Sequence, residues 1–348
     1  MKKPGRVTIK DVARIAGVSA QTVSRVINDR PDVAPETRKR IQEVIDELGY
    51  NPSALARSLI QQRSFTLGVV TAGLKYIGPS RTLNGITQRC EELGYSLLLK
   101  ELSSFTSGDS HALIRSLIAR HVDGIIWATA EVGDNQDWVS EDLADLPVPV
   151  VFTASQQRKG IFCVAYDNLL GARLAVRHLF EQGCRRIGHL AGPLDWWEAR
   201  ERLAGWQQVM QENGMEDCLD CVQEGNWSSA SGEQAMNRLL EKQSDLDGIF
   251  AGNDQMALGA YHAAYTRGLQ IPADLAIVGF DGIPEGRYFW PPLSTIHQDQ
   301  NLMGCTAVNK LAAIIESQQQ EQETGEPEST ILVPELIVRE SSERFRFQ

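Results

Sequence analysis

The stretch Thr8–Asn28, TIKDVARIAGVSAQTVSRVIN, decides the organisation of the amino-terminal part of this 348-residue chain. Thr8 can cap a first short helix with apolar residues at helical spacing, and Gly17 can supply the sharp turn that ends it. Ser19 can then cap a second helix that runs from Ala20 to Asn28. Two short helices joined in this way predict a helix-turn-helix.

The second predicted helix presents Ala20, Gln21, Ser24 and Arg25 on the face opposite to its apolar residues. In the major groove of DNA, Gln can form two hydrogen bonds to adenine and Arg two to guanine. We therefore interpret this helix as a recognition helix. The alternative is a helical hairpin that only packs, since many proteins contain two short helices around a glycine.

The charge distribution favours the DNA-binding interpretation. Residues 1–64 contain 12 Lys and Arg against 7 Asp and Glu, a net charge of +5, whereas the whole chain carries −11. A basic head on an acidic body suits a head that binds phosphate groups and a body that does not adhere to DNA.

The rest of the composition indicates a soluble cytoplasmic protein without cofactor or metal. The sequence contains no long apolar run that would cross a membrane and no secretory signal, so we expect the six cysteines to be reduced. Cys218 and Cys221 form a CxxC pair, but no second pair stands at a spacing typical of zinc ligands.

Two segments complete the predicted head. Pro35 begins a third helix that Gly49 ends, which gives a helix-turn-helix domain over residues 1–50. Residues 51–64 contain NPSALARSL, which predicts a short hinge helix and a linker. Such a helix is too short to be stable alone, and it could fold on DNA with Leu59 as a minor-groove wedge beside Ala56. The alternative is a plain linker.

From residue 65 onward, short apolar runs alternate with amphipathic stretches, including a predicted helix that ends at Asp145. This alternation predicts parallel sheets covered by helices, and its repetition predicts two lobes with a cleft between them. The fold class is therefore an all-α helix-turn-helix head followed by a two-lobe α/β body. Ligands of open α/β sheets bind at the carboxyl ends of the strands.

Several predicted strand ends carry groups that suit a ligand with many hydroxyl groups. Asp281 and Asn253 follow apolar runs, and Arg202 lies one turn into the helix after LAGPL. Trp196, Trp197 and Trp227 could stack on a sugar ring, whereas the helical spacing of Trp206 predicts a core residue. No nucleophile–base set, phosphate loop or metal-binding spacing is visible, which argues against an enzyme.

These motifs closely resemble the LacI/GalR family of transcriptional regulators, in particular its lac-type members. The resemblance rests on the head and hinge and on the body segments LAGPL, RLAGW, NDQMALGA, VGFD and PPLSTI, and it covers about residues 6–340. It implies a dimeric regulator of operator DNA with a periplasmic-binding-protein-like body. It also implies that the chain crosses between the lobes three times.

The resemblance assigns the domains, and together with the residue patterns above it gives the candidate site residues. The effector-binding and dimerisation body spans 65–341, with lobe one at about 65–164 and 296–322 and lobe two at about 165–295 and 323–341. The last strand, STILVPELIV, is expected in lobe two, and the helix after Gln298 in lobe one. The candidate DNA-binding residues are Thr8, Ser19, Ala20, Gln21, Thr22, Ser24, Arg25, Asn28, Ala56 and Leu59. The candidate effector-binding residues are Ala72, Tyr166, Trp196, Trp197, Arg202, Trp227, Asn253, Asp281 and Gln298.

Departures from the lac-type pattern bear on the ligand. Ala154 stands where that pattern has a carboxylate, and Gln300 stands where it has an aromatic residue, while Tyr166 remains and Trp196 and Trp197 are additional aromatic residues. We therefore expect a sugar that is larger than, or different from, a simple galactoside, such as an oligosaccharide or glycoside. The absence of tetramer-forming leucine heptads predicts a homodimer.

Three alternatives stay open at the level of sequence. A regulator of this architecture could bind an effector that is not a sugar. A periplasmic sugar-binding protein would share the two-lobe body but would need a signal peptide and would lack the head. An α/β sugar-metabolising enzyme would need catalytic groups that the sequence does not display.

Overall fold

The structure is a computed structural model that describes residues 7–27, 30–50, 63–105, 110–133, 135–136, 143–215, 218–320 and 328–344. Its contacts divide the chain into two compact units, residues 1–65 and residues 66–348. Each unit has a hydrophobic core of its own. The sequence-based prediction puts the boundary between head and body at residues 64–65.

The amino-terminal unit is a small bundle of the three helices that the sequence predicts, α1 (Ile9–Ala16), α2 (Ala20–Ile27) and α3 (Pro35–Leu48). Val12, Val23 and Ile41 are fully buried where the three helices meet. Gly17 has a φ of 66°, a left-handed conformation that glycine adopts without strain, and this turn separates α1 from α2. The helix-turn-helix is therefore confirmed.

The second unit contains two α/β lobes. The described helices of the body are α4 (Ile77–Glu92), α5 (Ser110–Ile118), α6 (Asn168–Glu181), α7 (Trp197–Glu212), α8 (Ser229–Lys242), α9 (Asp254–Thr266) and α10 (Gln300–Gln319). Its described strands are β1 (Thr66–Thr71), β2 (Ser96–Glu101), β3 (Gly124–Ala128), β4 (Val150–Thr153), β5 (Phe162–Tyr166), β6 (Ile187–Ala191), β7 (Val222–Glu224), β8 (Gly248–Ala251), β9 (Ala276–Asp281), β10 (Ser294–His297), β11 (Thr330–Leu332) and β12 (Glu335–Ile337).

Each lobe is built on one six-stranded sheet, and the two sheets share one topology. The order is β2-β1-β3-β4-β5-β11 in lobe one and β7-β6-β8-β9-β10-β12 in lobe two. All neighbouring strands are parallel except β10 and β12, which are antiparallel. In lobe one the chain passes from β1 to β2 on one side and then to β3 on the other side of β1, and β6, β7 and β8 repeat this arrangement in lobe two. Such a reversal opens a crevice at the carboxyl ends of the strands.

The chain passes between the lobes at three places. It leaves lobe one after β5, returns after β10 into α10, which packs on α4 and on strands β3 to β5, and crosses again between β11 and β12. The prediction that the whole segment STILVPELIV joins lobe two is therefore wrong, because Thr330–Leu332 pairs with β5 in lobe one. Pro334 explains the break, since proline has no N–H to continue a ladder of backbone hydrogen bonds.

The predicted helix ending at Asp145 is also not formed as expected. Residues 129–131 form no regular secondary structure, Val132 forms an isolated β-bridge, Gly133 lies in a turn, and Leu143–Asp145 is a single 3₁₀ turn. Residues 137–142 lie outside the described part of the chain. Residues 131–133, which replace the first part of the predicted helix, contribute to the contact between the lobes described below.

None of the described helices has both the length and the apolar character that a membrane span requires.

The most extensive core among the described residues lies in lobe two and includes Trp206, Phe250 and Phe280, all fully buried. Lobe one has a core on each face of its sheet. These cores fix the carboxyl ends of both sheets, where the polar side chains predicted from the sequence lie.

Candidate functional site

Hydrogen bonds of side chains define the starts of α1 and α2. The backbone N–H of Thr8 donates to the Asp11 carboxylate at 3.0 Å, and the Thr8 hydroxyl donates to the same oxygen at 2.7 Å. The hydroxyl of Ser19 accepts a hydrogen bond from the backbone N–H of Thr22 at 3.1 Å. The capping interactions predicted from the sequence are therefore present, and they set the angle at which α2 leaves the turn.

The outer face of α2 is available to a partner. Gln21 and Arg25 are exposed, and Ala20, Thr22 and Ser24 are partly exposed. The Arg25 guanidinium pairs with Asp32 at 3.3 Å, and both side chains are about half-exposed, so this ion pair costs little to exchange for a guanine contact. Of the remaining DNA-binding candidates, Asn28, Ala56 and Leu59 lie outside the described residues.

A cavity of about 510 Å³ lies between the two lobes. Its volume is typical of small-molecule sites. Lobe one contributes the start of α4, where Tyr76 and Pro79 lie, and the ends of β3 and β4, where Ala128 and Thr153 lie. Lobe two contributes Glu198 and Arg202 from the start of α7, together with Asn226, Trp227, Asn253 and Asp281 from loops and strand ends. The predicted location at the carboxyl ends of the strands is thus where the cavity lies.

Arg202 is the central polar group of the lobe-two wall. Its Nε donates to Asn168 Oδ1 at 2.9 Å, and its Nη1 donates to the carbonyl of Gly252 and lies 3.5 Å from Asp281 Oδ1. The guanidinium carbon also lies 3.8 Å from the centre of the Phe280 ring. Burial lowers the Arg202 pKa from its ordinary value, although the Asp281 carboxylate opposes this shift. The group is therefore held rigidly and can offer its remaining donors to a ligand.

The acidic groups around Arg202 are also perturbed. Burial raises the pKa of Asp281, and the guanidinium of Arg202 counteracts that shift. Behind Asp281, the fully buried Asp254 accepts from the Thr295 hydroxyl at 2.6 Å and from the Ile283 N–H at 2.8 Å. Burial, and secondarily the charge of Asp281, raises the Asp254 pKa. Strongly perturbed groups at the wall of a cavity are typical of binding sites.

Aromatic side chains form the apolar part of the wall. The ring of Trp196 packs against Trp227 with centroids 5.7 Å apart, against Tyr76 at 5.8 Å and against Phe105 at 4.6 Å. A Cβ atom at Gly192 would lie 2.0 Å from the Trp227 ring, so the ring can cover the end of β6 only because residue 192 is glycine. Flat aromatic surfaces beside polar groups suit a ligand with apolar faces and a polar rim.

The backbone is strained at three positions of the cavity wall. Ala154, Trp227 and Asp281 all adopt positive φ angles, of 53°, 69° and 102°. Residues other than glycine adopt this conformation at a cost of about 1–3 kcal/mol, and such residues cluster at functional sites. Trp227 and Asp281, two of the three, also contribute their side chains to the cavity wall.

Five of the nine predicted effector residues line the cavity, namely Trp196, Arg202, Trp227, Asn253 and Asp281. The other four do not, and each has another place in the fold. Ala72 is fully buried in a lobe-one core, and the Tyr166 hydroxyl donates to the carbonyl of Asp299 at 3.0 Å. Gln298 is buried beneath the cavity, where it accepts from Gln300 Nε2 at 3.0 Å. Trp197, although it begins α7 of lobe two, packs in the lobe-one core.

The cavity also contains residues that sequence reasoning missed, chiefly Lys75, Tyr76, Thr82, Glu198, Asn226, Gln255 and Met303. Ala154 and Gln300, noted in the sequence as departures from the lac-type pattern, line it as well. A signal was available for Glu198, because it precedes Arg202 by four residues and therefore shares its face of α7. Tyr76 and Thr82 gave no comparable signal. Their position depends on the packing of α4 against α10, which no local pattern encodes.

A short contact, here called the interlobe latch, joins residues 131–133 of lobe one to residues 195–197 of lobe two. Trp197 N–H donates to the Glu131 carbonyl at 3.0 Å, Gly133 N–H donates to the Asp195 carbonyl at 3.1 Å, and Val132 pairs with Trp196 as an antiparallel bridge. The Glu131 carboxylate is itself held by Gln156 N–H at 2.9 Å and by Arg158. The latch therefore connects the lobes beside the cavity, in addition to the three chain crossings.

All six cysteines are free thiols in the structure. Throughout the ranges that the structure describes, no group of three or more His, Cys, Asp or Glu side chains is placed to hold a metal ion.

Comparisons with known proteins agree with this organisation. Residues 8–53 match the model of the family described as bacterial regulatory proteins, lacI family, and residues 176–342 match a periplasmic binding protein-like domain. The chain is 35% identical over 312 residues to the lactose operon repressor of Escherichia coli strain K12, covering 90% of this chain and 86% of that protein. It is 34% identical over 334 residues to the transcriptional repressor PurR of Pasteurella multocida, covering 96% and 98%.

Solved structures are similar over almost the whole chain. The structure of a Lac repressor dimer bound to operator and the anti-inducer ONPF matches with a TM-score of 0.84 at 33% identity, covering 97% of this chain and 99% of that chain. A complex of the transcriptional regulator CelR with cellobiose matches with a TM-score of 0.70 at 31% identity, covering 97% and 100%.

Proposed function

Because this chain belongs to the lacI family of bacterial regulatory proteins, we propose that it represses transcription as a homodimer on operator DNA and responds to a carbohydrate bound between its lobes. The chain is a DNA-binding transcriptional repressor with an effector-binding domain, and it is not an enzyme. The operator, the homodimer and the chemical class of the effector are the proposal.

The DNA-binding part of the proposal rests on α2. Its capped start and its packing on α1 and α3 present Gln21 and Arg25 together on one exposed face. An α-helix fits the major groove, where these two side chains can distinguish adenine and guanine. The Lac repressor chain in the structure bound to operator is similar to this chain, and this similarity supports a role for α2 in binding operator DNA here.

The observation that carries the carbohydrate assignment is the composition of the cavity wall. Arg202, Asn253 and Asp281 supply hydrogen-bond donors and acceptors, and the Trp196 and Trp227 rings stand beside them. A sugar ring matches such a wall, because its hydroxyl groups both donate and accept while its C–H faces stack on aromatic rings. The cavity volume of about 510 Å³ suits a disaccharide or an aryl glycoside better than a single small ring.

The homodimer is supported by an apolar surface on lobe two. Among the described residues of that lobe, Leu258, Tyr265 and Trp290 have exposed fractions of 44%, 82% and 92%, and they border the same surface depression. Large exposed apolar side chains grouped in this way mark an interaction surface. The similar Lac repressor forms a dimer on its operator, so a second copy of this chain is the proposed occupant.

Titration calorimetry of the full chain tests the effector assignment. The panel contains cellobiose, lactose, their nitrophenyl glycosides, glucose, purine bases and amino acids, and we expect binding to a disaccharide or aryl glycoside. Binding of only a purine base or amino acid would contradict the assignment. Gel shifts on DNA selected from a random library, with and without the bound sugar, then show whether the sugar releases or promotes operator binding.

Light scattering at micromolar concentration tests the assembly. We expect the mass of two chains, and a monomer or a tetramer would contradict the proposed homodimer. An operator selected as a dimer site should contain two related half-sites, because a two-fold protein reads a two-fold DNA sequence.

A further inference from the structure

We propose that Glu198 determines ligand specificity, its carboxylate accepting a hydrogen bond from a hydroxyl group of the carbohydrate in the cavity. This inference rests on the proposed carbohydrate effector and adds to it a residue that was not among the candidates chosen from the sequence. Glu198 lies in the first turn of α7, four residues before Arg202, and both side chains line the cavity.

The first argument is an unsatisfied acceptor. Glu198 Oε2 is shielded from solvent, and among the residues that the structure describes it has no hydrogen-bond partner. Leaving a buried carboxylate oxygen unpaired is costly, and a partner from a ligand removes that cost. A ligand in this cavity that carries hydroxyl groups can supply the missing donor.

The second argument is an unsatisfied donor in the same wall. Trp227 is only 9% exposed, and within the described part of the chain its indole Nε1 also lacks a hydrogen-bond partner. Indole N–H can only donate, and an ionised carboxylate can only accept. Hydroxyl groups can satisfy both needs because each one donates and accepts, whereas a purely cationic ligand would leave Trp227 unpaired.

The third argument is the electrostatic setting of the carboxyl group. Arg202 on the same helix favours its charge, while Asp281 from β9 and Glu131 from the interlobe latch disfavour it. Lys75 also lines the cavity, but its side chain is exposed and lies over the Tyr76 ring. Burial outweighs the favourable contribution and raises the Glu198 pKa to about 7.

This setting links ligand binding to protons. The ionised carboxylate is the stronger acceptor for a hydroxyl group, so the ligand should favour the ionised form and lower the pKa of Glu198. Affinity should therefore rise as pH increases from about 6 to about 8. Binding near pH 7 should release a fraction of a proton.

The variant Glu198→Gln tests the assignment while keeping the side-chain size. Calorimetry with cellobiose and lactose, in two buffers of different ionisation enthalpy and at pH 6, 7 and 8, gives affinity and proton release together. We expect Glu198→Gln to weaken the better-binding disaccharide by about tenfold or more at pH 8. We also expect the variant to lose both the pH dependence and the proton release.

Glu201→Gln is the matched control, because Glu201 lies on the same helix and does not line the cavity. It should leave the affinity and its pH profile unchanged. Equal affinity and equal pH profiles for wild type and Glu198→Gln would overturn the inference while leaving the carbohydrate effector intact. If neither disaccharide nor any other sugar binds wild type, the proposed function itself fails.

The wild-type protein provides a test that does not depend on folding of the variant. Monodeoxy derivatives of the bound disaccharide remove its hydroxyl groups one at a time. One derivative should bind wild type at least about tenfold more weakly and lack the pH dependence of the parent sugar. If every monodeoxy derivative keeps the pH profile of the parent, Glu198 does not contact a ligand hydroxyl.

Discussion

The backbone N–H of Trp197 donates to the carbonyl oxygen of Glu131 at 3.0 Å, and this bond joins lobe two to lobe one. The Trp197 ring follows the bond across the boundary and packs in the lobe-one core with Trp127 and Phe152. The chain thus anchors one lobe in the other beside the cavity. Any motion that opens the cavity on this side has to withdraw the ring and break the bond.

We predict that Trp197→Ala loosens the interlobe latch. Removal of a large aromatic side chain from a core costs about 3–5 kcal/mol, and here the loss falls on the contact between the lobes. Hydrogen exchange measured by mass spectrometry should show more than about tenfold faster exchange at the amides of Gly133 and Trp197. Both amides donate across the boundary in the structure.

Trp206→Phe is the control for the latch. Trp206 is fully buried within lobe two and donates to the Ile187 carbonyl at 3.2 Å, so its loss should lower thermal stability without affecting the interlobe amides. Unchanged exchange at Gly133 in Trp197→Ala would mean that the latch does not depend on the ring.

Arg202→Lys should weaken binding of the effector by about 10- to 100-fold. Lysine keeps the charge but loses the planar group that bonds Asn168 and Gly252 together and lies on the Phe280 ring. Calorimetry measures the change. Arg200→Lys, on the same helix but outside the cavity wall, should bind as wild type does, and equal losses in both variants would remove Arg202 from the site.

Arg25→Ala should reduce the free energy of operator binding by about 1–3 kcal/mol. It should also remove discrimination at a single base pair, because Arg25 is expected to contact one base. Arg14→Ala removes the same charge from α1, where Arg14 is exposed and pairs with Asp11, and should affect all sequences alike. Binding to operators with single base changes separates the two patterns. A uniform loss for Arg25→Ala would contradict its role in base reading.

Asp254→Asn should change how stability depends on pH. Burial raises the Asp254 pKa from its ordinary value of 3.8 to about 8, so the folded chain holds a proton that the unfolded chain releases. Wild-type stability should therefore fall as pH rises between these values, by up to about 1.4 kcal/mol per pH unit from this group. Thermal unfolding at pH 5, 6.5 and 8 should show a smaller fall for the variant.

Glu198 titrates in part of the same range, since its pKa is raised to about 7. The difference between wild type and Asp254→Asn isolates Asp254, because Glu198 is present in both. Parallel stability profiles would mean that Asp254 is ionised in the fold. The variant keeps an acceptor for the Ile283 N–H, so it should fold.

Much of the head could be predicted from local sequence. Thr8, Gly17 and Ser19 act through hydrogen bonds and backbone preferences that span three or four residues, and the structure places all three as expected. The alternation of apolar runs and amphipathic stretches likewise predicted two parallel sheets. One misplaced segment was STILVPELIV, because its two halves pair with different sheets and Pro334 lies between them.

The candidate cavity was predicted only in part. Parallel strands bring their carboxyl ends to one edge of the sheet, and this rule needs only the positions of the strands in the sequence. It led to Arg202, Asn253 and Asp281, which follow predicted strands. Trp197 was assigned to the cavity, yet its ring packs in the opposite lobe. Neighbouring Trp196 and Trp197 look equivalent in sequence, but successive side chains point in different directions, and the interlobe latch decides which ring faces the cavity.

The sequence by itself therefore determined the helix-turn-helix, the α/β class of the body and the strand ends that carry polar groups. These follow from interactions between residues close in the chain and from periodicity. Only the tertiary structure decided which side chains share the cavity and that Trp197 joins the lobes. It also decided that Glu198 Oε2 has no hydrogen-bond partner among the described residues. Those facts depend on contacts between segments distant in sequence, whose energies no local pattern records.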